Sequence, residues 1–502
     1  MAILLQIHRR RINPTYPLLH PLSDSTAPSR LVKMSPMALV TSLAPALYPP
    51  GFRGRRNLNW ISIGCLYAAY YMCRYNFRFA APGMIAEFHF TTSQITDMLA
   101  IWSLAYGTGQ LINGLLTDRI GGRKSLLIGA VGTIAINLLF GFGSLAGTFT
   151  TFSMIWLLNG YLQSFGCPGM VKINAAWFAR QERGTFSGIF GLMIQLGQVA
   201  ISFLAPLILA GFSFFALTVP AGEWRWLFRI PPLFTAAAAL FMFFAARETP
   251  EEAGYPGAIK DELDNSDGVT VSLLESFRSI FTHPLVWFYA AAYACTGAVR
   301  SSSDQIAILY FQDQMGFDMK TNIPAAARRT LELMPLAAVV GSFLSGWISD
   351  KVFKGHRSPV AMALYLVEAI VIAVAAIILF YGQVGPTASG IILGCTILIL
   401  ISLTANSTHS IVGSAAPMDI GGKKMAGFAA GVIDSFQYYG AALSLALTGR
   451  VLEITKAQYG YTFWFVIMSA FGIFGALAMN HVRRLQNFHR DHPQGDPRIK
   501  NC

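Results

Sequence analysis

Two arginines stand near the middle of long apolar segments: Arg74 within residues 60–85 and Arg300 within residues 285–311. An arginine at the centre of a membrane span costs about 2.5–3.5 kcal/mol on the insertion scale, so it normally faces a cavity or a partner. Its planar, permanently charged guanidinium suits phosphate or carboxylate. Because the two arginines fall at matching places in the two halves of the chain, they predict one central anion site shared by both halves.

The composition identifies the class of protein that must position these arginines. Of the 502 residues, 54% are hydrophobic and only 12% are charged, which is typical of a polytopic membrane protein. The net charge of +12 does not indicate nucleic-acid binding, because most basic residues lie in short loops between apolar runs. The six cysteines are mostly inside apolar segments without metal-ligand spacing, so we expect packed thiols, no metal site and no cofactor.

Apolar stretches of about 20 residues predict membrane-spanning helices. Twelve such stretches are present, at 58–80, 93–116, 124–145, 150–174, 185–211, 226–246, 284–311, 330–349, 359–381, 387–409, 424–448 and 460–481. A longer polar connector divides them into six and six. We therefore expect an all-α membrane protein with a basic N-terminal extension (1–56), an N-terminal half (57–246), a cytoplasmic linker (247–283), a C-terminal half (284–482) and a cytoplasmic tail (483–502).

The distribution of basic residues predicts the orientation. The loops after the second, fourth, eighth and tenth spans are basic, so the positive-inside rule places both termini in the cytoplasm; Arg328 and Arg329 alone are discordant. Segment 1–56 carries eight basic residues and one acid, Asp24. It is read as a disordered tail, as a mis-assigned start with initiation at Met34 or Met37, or as a transit peptide, and the first two are favoured.

An internal repeat relates the two halves. The end of the second span, GQLINGLLTDRIGGRK (109–124), and the end of the eighth, GSFLSGWISDKVFKGHR (341–357), have the same spacing of glycine and aspartate. The repeated residues are Gly109, Gly114 and Asp118 in the first copy and Gly341, Gly346 and Asp350 in the second. Two copies in the same orientation indicate a parallel repeat of six-span halves, with the substrate near the bilayer midplane between them.

The motif DRIGGRK (118–124) resembles the loop motif of the major facilitator superfamily. The segments YYMCRYNF, AYGTGQLINGLLTDR, NGYLQSFGCPG, WFARQERG, SDKVFKGHR and GKKMAGFAAG, in this order, resemble the organophosphate:phosphate antiporters within it. The resemblance implies the major facilitator fold, with twelve helices in two six-helix halves. It also implies that Arg74 and Arg300 grip a phosphoryl group; the other reading of Arg300 is a helix-locking pair with Asp304, one turn away.

Further site residues follow from the resemblance and from its limits. Tyr70, Tyr71 and Tyr106 are candidates to donate hydroxyls to the same anion. Glycerol-3-phosphate transporters of this family carry lysine where this chain has Gln110, and also where it has Tyr75. Two cations are candidates to replace those lysines: Arg78, one turn beyond Arg74, and Lys172 in the fourth span. The alternatives are that Arg78 pairs with Asp304 and that Lys172 reaches for the interface.

A second polar group lies on the spans of the C-terminal half. Asp434 is a lone carboxylate in the apolar eleventh span, and with Asn406, His409 and Gln437 it is a candidate to contact substrate hydroxyls. An interhelical hydrogen-bond network is the equal alternative. The charged loops are candidate gates that latch the cytoplasmic side. These are Asp118, Arg119, Gly122, Arg123, Lys124, Asp350, Lys351 and Arg357.

We therefore expect a secondary transporter, not an enzyme, that exchanges a phosphorylated small metabolite for inorganic phosphate across a bacterial inner membrane. Its partners would be the small anion and membrane lipid, with no nucleic acid, and it would be a monomer. Two alternatives stay open. One is a proton-coupled symporter of organic anions, with Asp304 or Asp434 as the coupling acid. The other is a membrane sensor that binds sugar phosphate without transporting it.

Overall fold

The computed structural model describes residues 48–142, 147–178, 183–215, 217–259, 282, 284–353, 357–420 and 422–491. The side chains of 183–190, 284, 350, 414–430 and 489–491 are outside that description. Most of the predicted extension, much of the predicted linker and the end of the predicted tail, at 1–47, 260–281 and 492–502, also lie outside the described residues.

The described chain is built almost entirely of α-helices. Those before the linker are α1 (Phe52–Phe88), α2 (Thr92–Ile120), α3 (Gly122–Phe142), α4 (Phe149–Gln163), α5 (Gly166–Trp177), α6 (Arg183–Leu209) and α7 (Pro231–Ala245). Those after it are α8 (Pro284–Met315), α9 (Ala325–Lys351), α10 (Arg357–Phe380), α11 (Ala388–Ile420), α12 (Gly422–Tyr459) and α13 (Thr462–Asp491). Only Ser164 and Phe165, both with right-handed helical backbone, separate α4 from α5, so the two form one span. The expected twelve-helix, all-α architecture is confirmed.

Seven of these helices are apolar and long enough to cross a membrane by length and composition alone: α3, α6, α7, α9, α10, α11 and α13. The other five spans include those that carry the buried Arg74 and Arg78 on α1 and Asp304 on α8, although the buried Glu368 lies on the apolar α10. This division follows from the cost of polar groups in lipid, because helices that carry charge must turn it towards the protein interior. The polar spans are therefore the ones that surround the centre of the molecule.

A short β-hairpin interrupts the helical pattern between α6 and α7. Strands β1 (Phe212–Phe214) and β2 (Leu217–Val219) pair antiparallel, with Phe212 opposite Val219. It is followed by a 3₁₀ turn, Trp224–Phe228, and a second 3₁₀ turn, Glu251–Ala253, follows α7. The apolar pattern treats the hairpin and the first turn as continuations of the neighbouring spans, since short apolar runs do not distinguish a strand from a helix.

The first glycine of the sequence repeat allows the same kind of close helix contact in both halves. A Cβ atom on Gly109 would lie 2.3 Å from Oγ of Ser164, and one on Gly341 would lie 2.1 Å from the carbonyl oxygen of Leu403. Gly109 thus lets α2 approach the α4–α5 span, as Gly341 lets α9 approach α11. The second glycine of each copy, Gly114 or Gly346, has nothing within 4 Å of such a Cβ. Only the first glycine of each copy is required for close packing.

The halves meet along three helix pairs: α1 with α8, α2 with α12, and α6 with α9. At the face where α1 ends and α2 begins, α2 and α12 are joined by polar contacts. Arg450 donates to both carboxylate oxygens of Asp97, at 2.8 and 3.3 Å, and the backbone N–H of Ser93 donates to Glu453 at 3.0 Å. We call these contacts the α2–α12 latch. They hold the two halves together at this face.

Candidate functional site

A central cavity lies between the two halves, where α1 and α2 face α8 and α12. The empty space between its lining residues is about 360 Å³ when the open solvent at its mouth is included, so the enclosed part is much smaller. The lining residues are Tyr71, Arg74 and Tyr75 from α1, Trp102 and Ser103 from α2, Arg300, Ser301 and Gln305 from α8, and Gln437 and Tyr438 from α12. Both arginines singled out from the sequence line this cavity, one from each half.

Arg74 is held by neutral groups. Its side chain is 3% exposed, and its guanidinium carbon lies 4.4 Å from the ring centre of Tyr71, 4.7 Å from that of Trp102 and 4.4 Å from that of Tyr106. Its Nε donates to Oε1 of Gln163 at 3.2 Å, and its Nη1 donates to the hydroxyl of Tyr438 at 3.4 Å. Aromatic faces attract a cation but do not neutralise it. The positive charge of Arg74 therefore persists in the cavity wall.

Arg300 enters the cavity from the opposite half, on α8. This helix packs very closely on α12, because Cβ atoms on Gly297 and Gly440 would lie 1.8 and 1.9 Å from backbone oxygens of the facing helix. The crossing brings Arg300 beside Gln437 and Tyr438 in the lining. Arg300 is half-buried, and Tyr75, Tyr71 and Asp304 are near enough to interact electrostatically with its charge.

Neither cavity arginine is in direct contact with a described carboxylate. Among the side chains that the structure describes, no carboxylate forms an ion pair within 4 Å of Arg74 or Arg300. Nη2 of Arg74 and Nε of Arg300 are buried and have no hydrogen-bond partner in the described structure. A buried charge of this kind is costly unless an anion supplies the missing bonds. The site is thus suited to bind an anion with two convergent guanidinium groups.

Asp304 closes the cavity on the side of the α2–α12 latch. The hydroxyl of Tyr75 donates to Oδ2 of Asp304 at 3.2 Å, across the two halves. Arg78, which is 2% exposed, donates to the backbone oxygen of Asp304 at 2.7 Å and to Oγ of Ser202 at 3.0 Å. Arg78 therefore joins α1 to α8 and α6 beyond the cavity wall, and its side chain is not part of the lining.

Asp434 lies on the opposite side of the cavity. The side-chain amide of Gln110 donates to Oδ2 of Asp434 at 2.8 Å, joining α2 to α12, and Gln437 donates to Oδ1 of the same carboxylate. Farther into the C-terminal half, Nδ1 of His409 lies 3.0 Å from the hydroxyl of Tyr293, and the two rings stack. Of these candidates, only Gln437 lines the cavity itself.

Comparison with known proteins decides the family. Residues 63–445 match the family model described as Major Facilitator Superfamily, which spans well over half of the chain. The chain belongs to the major facilitator superfamily. It is therefore a multi-pass membrane protein of a transporter family, not an enzyme, and the fold described above is the fold of that family.

Relatives within the superfamily share most of their length with this chain. It is 27% identical to the "Membrane sensor protein UhpC" of Salmonella typhimurium, over 84% of this chain and 90% of the relative. It is 27% identical to the "Glycerol-3-phosphate transporter" of Bacillus subtilis, over 85% and 93%. It is 25% identical to a "Probable hexose phosphate transport protein" of Chlamydia pneumoniae, over 80% and 86%. These relatives confirm the resemblance to organophosphate transporters.

Solved structures agree on the fold. A bacterial homologue of the lysosomal transporter Spinster superposes with a TM-score of 0.61 at 15% identity, over 86% of this chain and 98% of that one. A D-xylose–proton symporter superposes with a TM-score of 0.61 at 14% identity, over 83% and 95%. At such identities the likeness shows the shared superfamily fold alone.

Two of the predicted site residues are placed away from the central cavity. The hydroxyl of Tyr70 donates to the backbone oxygen of Leu126 on α3, so it serves helix packing. The ammonium of Lys172 donates to the backbone oxygens of Thr117 at 3.1 Å and Asp118 at 2.7 Å, at the end of α2. Its long side chain reaches the end of a helix, where free carbonyls attract a cation. Lys172 therefore does not replace the cation that glycerol-3-phosphate transporters carry.

The predicted gate of the first half is organised by Glu248, just after α7. Its carboxylate accepts from the backbone N–H of Gly122 at 2.6 Å and from that of Arg123 at 2.8 Å, which are the first residues of α3. The side chain of Arg123 in turn donates to the backbone oxygen of Phe243. A carboxylate at a helix N-terminus satisfies otherwise unpaired donors. In the described structure these contacts stay within the N-terminal half.

The remaining gate residues lie at the ends of helices. The side chains of Asp118, Arg119, Lys124 and Lys351 are exposed, and that of Arg357 is half-buried. The side chain of Asp350 lies outside the described part of the chain. Asp118 lies 3.9 Å from Lys172, a pair that its exposure makes weak. These residues therefore lie at helix ends, and their role as a gate stays a prediction.

Of the lining or supporting residues that the sequence interpretation did not identify, Trp102, Tyr438 and Gln163 contact Arg74. Aromatic residues in apolar helices are usually packing residues, so neither the ring of Trp102 nor that of Tyr438 is distinctive in one sequence. One signal was available in the sequence, because Trp102 and Tyr106 are spaced one helical turn apart. In the structure their rings stack, with the ring centres 5.1 Å apart. No feature of the sequence around Gln163 marked it as a site residue.

Proposed function

We propose that this protein is a secondary transporter that binds a phosphorylated small metabolite at the central cavity and exchanges it for inorganic phosphate. The observation that carries the proposal is the pair Arg74 and Arg300. One arginine comes from each half, both border one cavity, and neither forms an ion pair within 4 Å with a described carboxylate. The bound phosphoryl group supplies the hydrogen-bond acceptors that the unpartnered guanidinium nitrogens of the two arginines lack.

A phosphoryl group suits this pair of arginines better than a singly charged anion does. A guanidinium presents a planar fork of donors that matches two oxygens of a phosphoryl group, and Arg74 still has its Nη2 free of partners in the described structure. The relatives named for glycerol phosphate and hexose phosphate support the same chemistry. The substrate of this chain is thus proposed to carry a phosphoryl group on a small, hydroxylated body.

The rest of the substrate is proposed to lie towards Asp434. That side of the cavity offers the amide of Gln437 and the carboxylate of Asp434, which accept and donate hydrogen bonds as hydroxyl groups require. His409 and Gln110 lie in the same direction and are candidates to join when the halves move. Gln110 stands where lysine is found in glycerol-3-phosphate transporters, so glycerol 3-phosphate itself is not assigned.

Transport is proposed to proceed by alternating access. Phosphate draws Arg74 and Arg300 together, and the halves then rock about the cavity so that it opens to either face. Without the anion the two positive charges repel, which disfavours the occluded state and makes exchange obligatory. The α2–α12 latch closes one face, and the loops around Asp118 and Asp350 are proposed to close the other. We place the protein in a bacterial inner membrane as a monomer, with both termini in the cytoplasm.

Binding of inorganic phosphate to the purified protein tests the arginine pair. Arg74→Lys and Arg300→Lys keep the charge but lose the fork, so each should raise the Kd for phosphate roughly 10- to 100-fold, the value of one or two charged hydrogen bonds. Arg450→Lys is the matched control, because Arg450 lies in the latch and outside the cavity lining. Unchanged affinity in both cavity variants contradicts the two-arginine site.

A sugar-phosphate sensor is the second candidate, and one observation favours it. The relative from Salmonella typhimurium is named a membrane sensor protein and matches this chain over 84% of its length. A sensor also needs the anion site, so binding does not separate the two functions. Exchange of phosphate across a membrane does, because the sensor binds the ligand without carrying it.

A further inference from the structure

Gln163, the last residue of α4, is the one described side chain that accepts a hydrogen bond from Nε of Arg74. It is fully buried and lies behind the guanidinium, outside the cavity lining. The contact occupies the edge of Arg74 nearest its own helix. It leaves Nη1 to meet Tyr438 and Nη2 without a partner among the described residues. Gln163 therefore determines which edge of the guanidinium is presented to the cavity.

The hydrogen bonds of Gln163 fix the orientation of its amide. Its Nε2 donates to Oδ1 of Asn159 at 3.4 Å and lies at the same distance from the backbone oxygen of Cys73. Both of these partners are acceptors, so the NH₂ group of the amide must face them. Oε1 consequently faces Arg74, which can only donate. The amide has one orientation that satisfies all of its neighbours.

A chain of buried amides supports Gln163 from behind. Asn159 accepts from Nδ2 of Asn137 at 3.1 Å, and Asn137 accepts from Nδ2 of Asn76 at 2.8 Å. Asn76 also donates to the backbone oxygen of Leu227 at 2.9 Å. The chain joins α1, α3 and α4 and brings only neutral groups to Arg74. The Nδ2 groups of Asn76 and Asn137 are satisfied in this chain, although Oδ1 of Asn76 at its far end has no partner in the described structure.

We propose that Gln163 is a positioning residue for anion binding: it holds Arg74 with a neutral acceptor, so that the arginine is oriented but keeps its charge for the phosphoryl group. This inference rests on the proposed function. A glutamate of the same size at 163 would also accept from Arg74, but it would neutralise the charge and compete with the substrate. The neutrality of the amide is thus the property that the site requires.

Gln163→Glu separates this role from a structural one. The new carboxylate pairs with Arg74 but loses the donors to Asn159 and Cys73, so the Tm of the ligand-free protein should fall no further than in a matched amide-to-acid control, whereas the Kd for inorganic phosphate should rise about 100-fold, the scale of a competing buried charge pair. The Kd for glycerol 3-phosphate or glucose 6-phosphate, whichever the wild type binds, should rise by the same factor. A purely structural role predicts loss of stability and affinity together.

Two further variants complete the test. Gln163→Met keeps the volume and removes the acceptor, so KM for phosphate exchange should rise several-fold with little change in kcat. Asn113→Asp is the matched amide-to-acid control, because Asn113 is buried on α2 and bonds to Ser164, with no contact to Arg74. It should lower the Tm by removing buried donors and leave the Kd nearly unchanged.

The outcomes separate the inference from the proposed function. If the wild type binds phosphate and both Gln163 variants bind it equally well, the positioning role is wrong and the proposed function stands. If Gln163→Glu loses affinity only in step with thermal stability, the positioning role is also wrong. If the wild type binds neither phosphate nor any organophosphate, the proposed function fails and the inference fails with it.

Discussion

At the scale of single residues, the surroundings of Arg74 explain why its charge is available. Three aromatic rings and two neutral oxygens contact its guanidinium, so the cation is stabilised without being neutralised. Arg78, one turn along α1, is equally buried but lies outside the cavity lining, where it bonds to the backbone oxygen of Asp304 and to Oγ of Ser202. Two arginines on one helix face thus do different work: Arg74 faces the cavity, and Arg78 joins helices.

A pair of tyrosine variants tests this assignment of roles. Tyr70→Phe removes the hydrogen bond to Leu126 and should lower the free energy of unfolding by about 0.5–1.5 kcal/mol, with the Kd for phosphate unchanged. Tyr438→Phe removes a hydroxyl that lines the cavity and contacts Arg74, so it should raise that Kd several-fold. Thermal unfolding and phosphate binding measure both effects. The reverse pattern would mean that the two tyrosines are wrongly assigned.

The sequence could predict Arg74 and Arg300 because charge in the middle of a span is costly, so its presence alone indicates a buried role. It could not separate Tyr70 from Tyr71, since adjacent aromatic residues on a helix differ only in the direction that tertiary packing gives them. Lys172 shows the same limit. Its position in the fourth span is correct, but the side chain extends towards the end of α2 and away from the cavity.

At the scale of elements, the repeated glycines place the helices that carry the site. Gly109 and Gly341 allow equivalent close crossings in the two halves, while Gly114 and Gly346 face open space. The spacing of the repeat was visible in the sequence, and it correctly predicted two halves of one architecture. Which glycine of each copy makes the contact was not visible, because it depends on the facing helix.

Alanine at these four glycines should separate the two kinds of position. Gly109→Ala and Gly341→Ala force the facing helices apart, so each should destabilise the protein by about 1–3 kcal/mol. Gly114→Ala and Gly346→Ala meet no atom and should be neutral or stabilising by about 0.5–1 kcal/mol, since alanine favours the helix. Thermal unfolding in detergent measures all four. Equal effects at all four positions would contradict the packing described here.

Helix existence was more predictable than helix interruption. Each of the twelve apolar stretches corresponds to a helical span, because long apolar runs have few other solutions in lipid. The break at Ser164 and Phe165 and the hairpin after α6 were not predicted. Both depend on local backbone choices within apolar sequence, for which hydropathy carries no signal. The break matters for function, because Gln163 is the residue that precedes it.

At the scale of the whole molecule, contacts between the halves lie on two sides of the cavity. Tyr75 and Arg78 meet Asp304 on one side, and Gln110 meets Asp434 on the other. Beyond the first of these contacts, the α2–α12 latch adds one partly exposed ion pair, Arg450 with Asp97, which is of small value. Such weak, separable contacts suit a carrier that must break one set while it keeps the other. We therefore propose that the bound anion and the two arginines contribute most to closing the two halves around the substrate.

The most direct test of the central claim is phosphate exchange in proteoliposomes loaded with radiolabelled phosphate. We expect label to leave only when the outside contains unlabelled phosphate or an accepted organophosphate, and we expect this efflux to be lost in Arg74→Lys and Arg300→Lys. Phosphate binding without any efflux would contradict transport and favour the sensor. Flux of a carboxylate alone, driven by a proton gradient, would contradict phosphate exchange and favour the symporter.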